Sequence, residues 1–159
     1  MSVYGKCEVV KTKDGGVQAL ADALRKAHSV ATDVGIFSSN NDRWDSSKSN
    51  ASIGARHEFG DSEVYERSFL RVPLSTNLGK HLNRANLTQI ASLITLGEPD
   101  KAAMVLGEAG ERTVRNAFDT SGDGTWPPTA ERYAEIKGHN LPLIDTMQLR
   151  DSITSRVAE

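Results

Sequence analysis

The segment that decides the fold reads DKAAMVLGEAGERTVRNAF, residues 100–118. Its periodicity predicts an α-helix from about Asp100 to Phe118, and a preceding proline suits the first helical turn because its missing N–H would have no partner there. Small residues recur on one face at i, i+4, i+7 and i+11: Ala103, Gly107, Gly110 and Val114. Glycine costs about 1 kcal/mol against alanine inside a helix, so the two glycines indicate a close backbone approach to a neighbouring element. That neighbour belongs either to the same chain or to another subunit, and the sequence leaves both open.

Other helical patterns lie on both sides of this segment. After Pro73, apolar residues at helical spacing predict a long helix that breaks or bends near Gly79 and stops before Gly97. Gly60 and Gly138 each follow a shorter pattern, because glycine accepts the left-handed conformation that closes a helix. The shorter predicted helices cover Val17–His28, Ala51–Phe59 and Ala130–Lys137.

Three segments alternate apolar and polar residues in the manner of short strands. They are Cys7–Lys11, Thr32–Ser38 and Ser152–Val157, and the last is half-buried and could pair with the N-terminal ones. Ser38–Asn50 is rich in Ser, Asn and Asp and predicts a flexible surface loop. The sequence therefore predicts one α+β domain over residues 1–159, with a small, mainly antiparallel sheet, helices packed on one side and a long surface loop.

Composition narrows the possible functions. The 159 residues are 38% hydrophobic and carry a formal charge of -2, which suits a single domain and disfavours nonspecific binding to nucleic acid. No apolar stretch is long enough to cross a bilayer and the N-terminus lacks signal-peptide features, so we expect a soluble, unexported chain with no membrane partner. The single cysteine, Cys7, belongs to no metal-binding pair, and we expect it to be a small buried residue in a reducing compartment.

Two short motifs resemble catalytic or metal-binding motifs, but each lacks a residue that such a motif needs. His57 and Glu58 would need a second histidine one helical turn further on, where Asp61 stands. The segment Asp119–Gly124 resembles the start of a calcium loop, but the twelfth position is Ala130 instead of glutamate. We therefore predict no catalytic, cofactor-binding or metal-binding residue. A small metal-binding module or metal-dependent enzyme is the alternative from another class, and a structural histidine beside a buried Phe is the expected form of the first motif.

A series of glycine- and proline-containing phrases carries a family resemblance. They read IGARHEFG at 53–60, ERSFLR at 66–71, WPPT at 126–129, LPLIDT at 141–146 and LRDSI at 149–153. In this order and spacing they resemble the bacteriophage virion-morphogenesis proteins, the small tail-completion or neck proteins of tailed phages. The resemblance spans residues 34–157, with two departures: Met147 stands where a glycine usually follows Asp-Thr, and Pro128 replaces a leucine.

The resemblance implies a structural virion protein that is not an enzyme and needs no cofactor. Such a protein assembles as a homo-oligomeric ring at the head–tail junction and contacts neck, connector and tail-tube proteins. It lies in the host cytoplasm before assembly and in the virion afterwards, and no specific nucleic-acid binding is expected. The alternative within the class is a tail terminator that caps the tail tube.

Four residues are the predicted contacts of that assembly. Arg67 and Arg71 flank Phe69, and Trp126 adds a second aromatic side chain. Arginine and large aromatic residues dominate protein–protein contacts, which is the basis of the choice. Each of the four also has an ordinary folding role as its alternative.

Overall fold

The computed structural model describes residues 21–22, 25–28 and 30–158. Residues 21–22 and 25–28 are helical, in agreement with the C-terminal part of the helix predicted over Val17–His28. The strand predicted over Cys7–Lys11, the lone Cys7 and the start of that helix lie outside the described residues.

Six further α-helices and two strands follow in the described part of the chain. The helices are α1 (Asn50–Phe59), α2 (Arg71–His81), α3 (Arg84–Thr95), α4 (Pro99–Asp119), α5 (Glu131–Lys137) and α6 (Gln148–Asp151); the strands are β1 (Thr32–Gly35) and β2 (Thr154–Val157). A 3₁₀ turn at Ser38–Asn40 follows β1. The predicted α+β class is confirmed.

The two strands are distant in sequence and adjacent in space. They pair antiparallel, with Thr32 opposite Val157 and Gly35 opposite Thr154. The C-terminal strand therefore pairs with a strand near the N-terminus, as its alternation predicted. β1 is shorter than the predicted Thr32–Ser38: its pairing ends at Gly35, which lies opposite the first residue of β2.

Helix α4 is the centre of the molecule and contacts both strands as well as α2 and α3. A Cβ at Gly107 would lie 2.6 Å from Ser155 Oγ and 2.8 Å from Thr32 Oγ1, and one at Gly110 would lie 2.7 Å from Val34 Cγ2. The element that approaches the two glycines is thus the sheet of the same chain. The sequence left open whether the neighbour of the two glycines belongs to the same chain or to another subunit. The structure shows that it belongs to the same chain.

The core lies at the C-terminal end of α4, between that helix, α2 and the C-terminal segment. Its buried residues are Phe69, Val114, Phe118, Ile144, Leu149 and Ile153. The ring of Phe118 is central, with its centroid 5.1 Å from that of Phe69 and 5.9 Å from that of Trp126, which meets it edge-on. Such edge and tilted arrangements are favourable beyond the area that they bury.

Two local predictions about helix ends are wrong. The long helix breaks at Leu82 and Asn83, not near Gly79, because Asn83 Oδ1 accepts a hydrogen bond from the Asn86 N–H at 3.0 Å and caps α3. Gly60 has φ 70 and ψ 171, which is not the left-handed helical conformation. Its Cβ would lie only 2.8 Å from the Glu66 N atom, so glycine is required there for a close approach of the chain.

The segment predicted as a flexible loop is linked to α1 by side-chain hydrogen bonds. Arg43 donates to both carboxylate oxygens of Asp45, at 2.8 and 2.7 Å, and to Asn50 Oδ1 at 2.8 Å. Asn50 in turn donates through Nδ2 to the Asn40 and Asp42 carbonyls. Trp44 has 79% of its surface exposed, and the mobility of the segment stays a prediction.

The packing of α4 on the sheet predicts opposite effects for two glycine substitutions. Gly107→Ala should lower the free energy of unfolding by about 1–3 kcal/mol, because the added methyl overlaps two side chains of the sheet. Gly79→Ala in α2 should raise it by about 0.5–1 kcal/mol, because nothing lies within 4 Å of the added methyl and alanine favours the helix. Urea unfolding of the two variants measures both changes. Equal effects of the two substitutions would contradict the close approach.

Candidate functional site

A buried carboxylate joins the first two phrases of the family resemblance. Glu58, near the end of α1, is 5% exposed. Its Oε1 accepts hydrogen bonds from Ser68 Oγ at 2.6 Å and from the Arg71 N–H at 2.9 Å. Its Oε2 accepts from the Phe69 and Leu70 N–H groups, each at 2.9 Å. Four donors therefore surround one acidic side chain.

These donors lie where α2 begins. The first N–H groups of a helix have no partner within the helix, and the positive end of the helix dipole favours a negative charge there. Glu58 supplies that partner from another helix, and Ser68 Oγ accepts the Val72 N–H at 3.0 Å. The glutamate of the suspected His-Glu pair is thus a structural residue that fixes the start of α2.

A buried arginine joins the second phrase to the third. Arg67 is 8% exposed, and its Nε and Nη2 donate to the Pro127 and Pro128 carbonyls at 2.9 and 2.8 Å. Among the described residues no carboxylate forms an ion pair with it. Burial lowers the pKa of Arg67, with the nearby Tyr65 acting in the opposite direction.

A cleft of about 790 Å³ lies between these phrases. Apolar residues that line it include Ile53, Pro127, Pro128, Leu143 and Leu149. Polar and charged residues that line it include His57, Arg67, Tyr133, Lys137 and Asp145. The cleft combines an apolar lining with charged side chains of both signs: Arg43, Arg67 and Lys137, and Glu63, Glu131 and Asp145.

His57 lies at one wall of the cleft. Burial lowers its pKa to about 4, and the positive charges of Arg67 and Arg56 act in the same direction. Its Nδ1 is buried and has no hydrogen-bond partner among the described residues. The buried phenylalanine expected beside this histidine is not found, since Phe59 is 66% exposed, and the structural role of His57 stays a prediction.

The opposite wall is formed by α5 and the segment before α6. Lys137 Nζ donates to the Leu141 carbonyl at 2.8 Å and lies 5.4 Å from the ring centroid of Tyr133. Tyr133 donates its hydroxyl to Asp145 Oδ2 at 2.9 Å. The residue before α6 is Met147, and no side chain caps that helix.

Met147 occupies a conformation that favours glycine. Its φ is 62, in the left-handed region that side chains with a Cβ seldom adopt. This is the position where the resembled family usually has glycine. The departure noted in the sequence therefore keeps the backbone turn that a glycine would make.

The four predicted contact residues have different locations. Phe69 is 2% exposed and is a core residue, so its assignment to an interface is corrected: no partner reaches it in the folded chain. Trp126 packs against Phe118, and Arg67 is held by two carbonyls. Arg71 is the exposed member; it pairs with Glu66 at 2.8 Å and lies over the exposed ring of Phe59 at 5.6 Å.

In the acidic loop that resembles a calcium site, the carboxylates of Asp119 and Asp123 accept hydrogen bonds from side chains of the chain itself. Arg150 donates to both carboxylate oxygens of Asp119 at 3.0 Å, and Asn77 and Lys80 donate to Asp123 Oδ2. Across the described residues, no group of three or more His, Cys, Asp or Glu side chains is arranged to hold a metal ion. In the same residues, no helix is both long and apolar enough to span a bilayer.

Comparisons with family models, with curated proteins and with solved structures found no match for this chain.

Removing the charge of Glu58 should destabilise the fold. Glu58→Gln places an NH₂ group against N–H donors, so we expect the free energy of unfolding to fall by about 2–4 kcal/mol. Glu66→Gln is the matched control: Glu66 lies in the same phrase but is exposed, and its ion pair with Arg71 should contribute less than about 1 kcal/mol. Urea unfolding at neutral pH separates the two. Similar losses for both variants would show that Glu58 does not fix α2.

Because of His57, the free energy of unfolding should fall as the solution becomes mildly acidic. Its folded pKa of about 4 lies below the ordinary 6.5, so the unfolded chain binds the proton first, and stability falls as pH drops from about 6.5 towards 4. Because the side chain is partly exposed, we expect a loss of about 1 kcal/mol between about pH 7.5 and 5 beyond that of His57→Gln. Urea unfolding of both proteins at the two pH values measures it. Equal losses would contradict the neutral, buried state of this side chain.

Proposed function

We propose that this chain is a structural protein of the tail-completion or neck class of tailed phages and that it acts as a homo-oligomeric ring at the head–tail junction. The observation that carries the proposal is the ordered set of phrases that resembles this class. In the fold the first three phrases form one connected unit, because Glu58 binds the segment at residues 68–71 and Arg67 binds the Pro127 and Pro128 carbonyls. Their order in the sequence thus corresponds to a physical arrangement.

The chemistry of the suspected catalytic pair supports a structural role. Each carboxylate oxygen of Glu58 accepts two hydrogen bonds from nearby groups of the chain. A carboxylate held in this way is fully used as an acceptor and is 5% exposed. It supports the start of α2 and is not presented to a substrate.

The surface beside that unit has the composition of a subunit contact. The exposed rings of Phe59 and Tyr65 lie in the same stretch of chain as Arg71, whose guanidinium is over Phe59. Aromatic and arginine side chains are enriched in protein–protein contacts. In a ring each subunit meets the next through two different surfaces, so this surface would face a different one on its neighbour.

Reversing the charge of Arg71 should block assembly and leave the monomer folded. The side chain is 59% exposed, so Arg71→Glu removes the surface ion pair with Glu66 and a longer 3.7 Å contact with Glu58, while the Arg71 N–H still donates to Glu58. Loss of one dominant contact of about 2 kcal/mol would weaken each subunit contact roughly 30-fold. Analytical ultracentrifugation and circular dichroism measure assembly and folding. Arg112→Glu, an exposed charge reversal on α4, is the control; unchanged assembly by Arg71→Glu, or its unfolding, would contradict this use of the surface.

The function itself is tested on phage particles. The chain should be found by mass spectrometry in purified virions of the phage that encodes it. Deletion of its gene should give free heads and tails of normal length, whereas overlong tails would indicate a tail terminator. Virions that lack the chain would contradict both assignments. Heat release on calorimetric titration with calcium or zinc would instead favour the metal-binding alternative.

A further inference from the structure

A loop beside the cleft is closed at its base and buries none of its own residues. At the base, the Asn50 N–H donates to the Asn41 carbonyl and the Ala51 N–H donates to Asn41 Oδ1, each at 2.8 Å. Residues 42–49, which we call the strap, contain no buried residue and no member of the apolar core. Loops whose ends meet in this way form compact units of their own. The position of the strap therefore depends on polar contacts.

One arginine connects the strap to its base and to the segment before α6. The Arg43 side chain is 10% exposed, and its Nε and Nη2 donate to the two carboxylate oxygens of Asp45 within the strap. Its Nη1 donates to Asn50 Oδ1 at 2.8 Å, and its Nη2 lies 3.5 Å from Thr146 Oγ1. The Thr146 hydroxyl donates to Asp45 Oδ2 at 3.2 Å. The ion pair of Arg43 and Asp45 thus contacts a residue that lies about a hundred positions away in the sequence.

Gln148 supplies the second connection. Its Oε1 accepts the Trp44 N–H at 3.2 Å, and its Nε2 donates to Thr146 Oγ1 at 2.8 Å. Arg43, Thr146 and Gln148 all line the cleft, so the contacts that hold the strap are part of the lining of the cleft. A segment that buries little apolar surface opens at a lower free energy than the core. The strap can therefore leave residues 146–148 while the rest of the chain stays folded.

We propose that the strap controls access to the cleft: it opens as one unit about its base, and Arg43 is the residue that keeps it closed on Thr146 and Gln148. In the open state the hydrogen bonds at the base remain, the contacts with residues 146–148 are lost, and solvent reaches Ile53 and Leu149 in the cleft. This inference is separate from the head–tail function, and the failure of either leaves the other standing.

Amide hydrogen exchange, followed by NMR on the full chain, measures the opening. Arg43→Gln should raise the exchange rate of the Trp44 N–H by at least about tenfold, because the charge-assisted hydrogen bonds that hold the strap are lost. The exchange rate of the Phe118 N–H, in the core part of α4, should change by less than about twofold. Equal acceleration of both amides would mean global destabilisation, and an unchanged Trp44 N–H would mean that Arg43 does not hold the strap. Either result would overturn the proposal.

Matched variants separate this role from the loss of any ion pair. Arg56→Gln removes an arginine of α1 whose ion pairs lie outside the strap, and it should change the exchange rate of the Trp44 N–H by less than about twofold. Thr146→Val removes the hydroxyl that joins the strap to Gln148, and it should raise that rate by about threefold or more. Equal effects of Arg43→Gln and Arg56→Gln, or no effect of Thr146→Val, would contradict the assignment.

Methyl signals test whether opening of the strap exposes the cleft. A neutral, soluble nitroxide should broaden the Ile53 and Leu149 methyl signals at least about twofold more in Arg43→Gln than in the unsubstituted chain, because the open strap admits solvent to these side chains. The methyl signals of Leu87, which is 53% exposed on α3, are the control and should broaden equally in both proteins. Equal broadening of the Ile53 and Leu149 signals in the two proteins would overturn control of the cleft by the strap.

Discussion

The contact on which the fold depends is the carboxylate of Glu58 at the start of α2. An acidic group that is 5% exposed is tolerated only with hydrogen-bond donors around it, and here three consecutive backbone N–H groups and one hydroxyl provide them. This fixes the direction of residues 67–70 as they enter the helix. Phe69 then enters the core against Phe118, and Arg67 reaches the two proline carbonyls. The same contact therefore positions a residue of the core and a residue of the cleft.

The same contact gives physical meaning to the phrases that resemble the phage family. The Glu of the first phrase binds the second, the Arg of the second binds the third, and Trp126 of the third closes on Phe118. The first three phrases therefore depend on one another through these contacts. The function proposed from them concerns assembly, since Glu58 and Arg67 position other segments of the chain.

The elements that the sequence predicts well are those whose signal is local and periodic. Pro99 and the run that follows it define α4, and Gly107 and Gly110 correctly indicate a close neighbour, although only the fold identifies it as β1 and β2. The alternation after Ser152 also suffices for the second strand. What the sequence misses is tertiary: Glu58 has no local partner, and its donors lie ten to thirteen residues away. Asn83 is a local signal that could have located the helix break, because its side chain caps α3.

The cleft shows why the candidate site could not be derived from motifs. Its charged residues come from separated segments of the chain, so no single motif contains them; the sequence singled out Arg67 in its phrase but not Lys137. Arg67 is positioned by two carbonyls, which accept hydrogen bonds from Nε and Nη2 but do not neutralise its charge. An isosteric apolar residue would avoid that electrostatic cost but could not hold Pro127 and Pro128 in place. The arginine therefore serves the fold through its donors, which hold the segment of the two prolines against the start of α2.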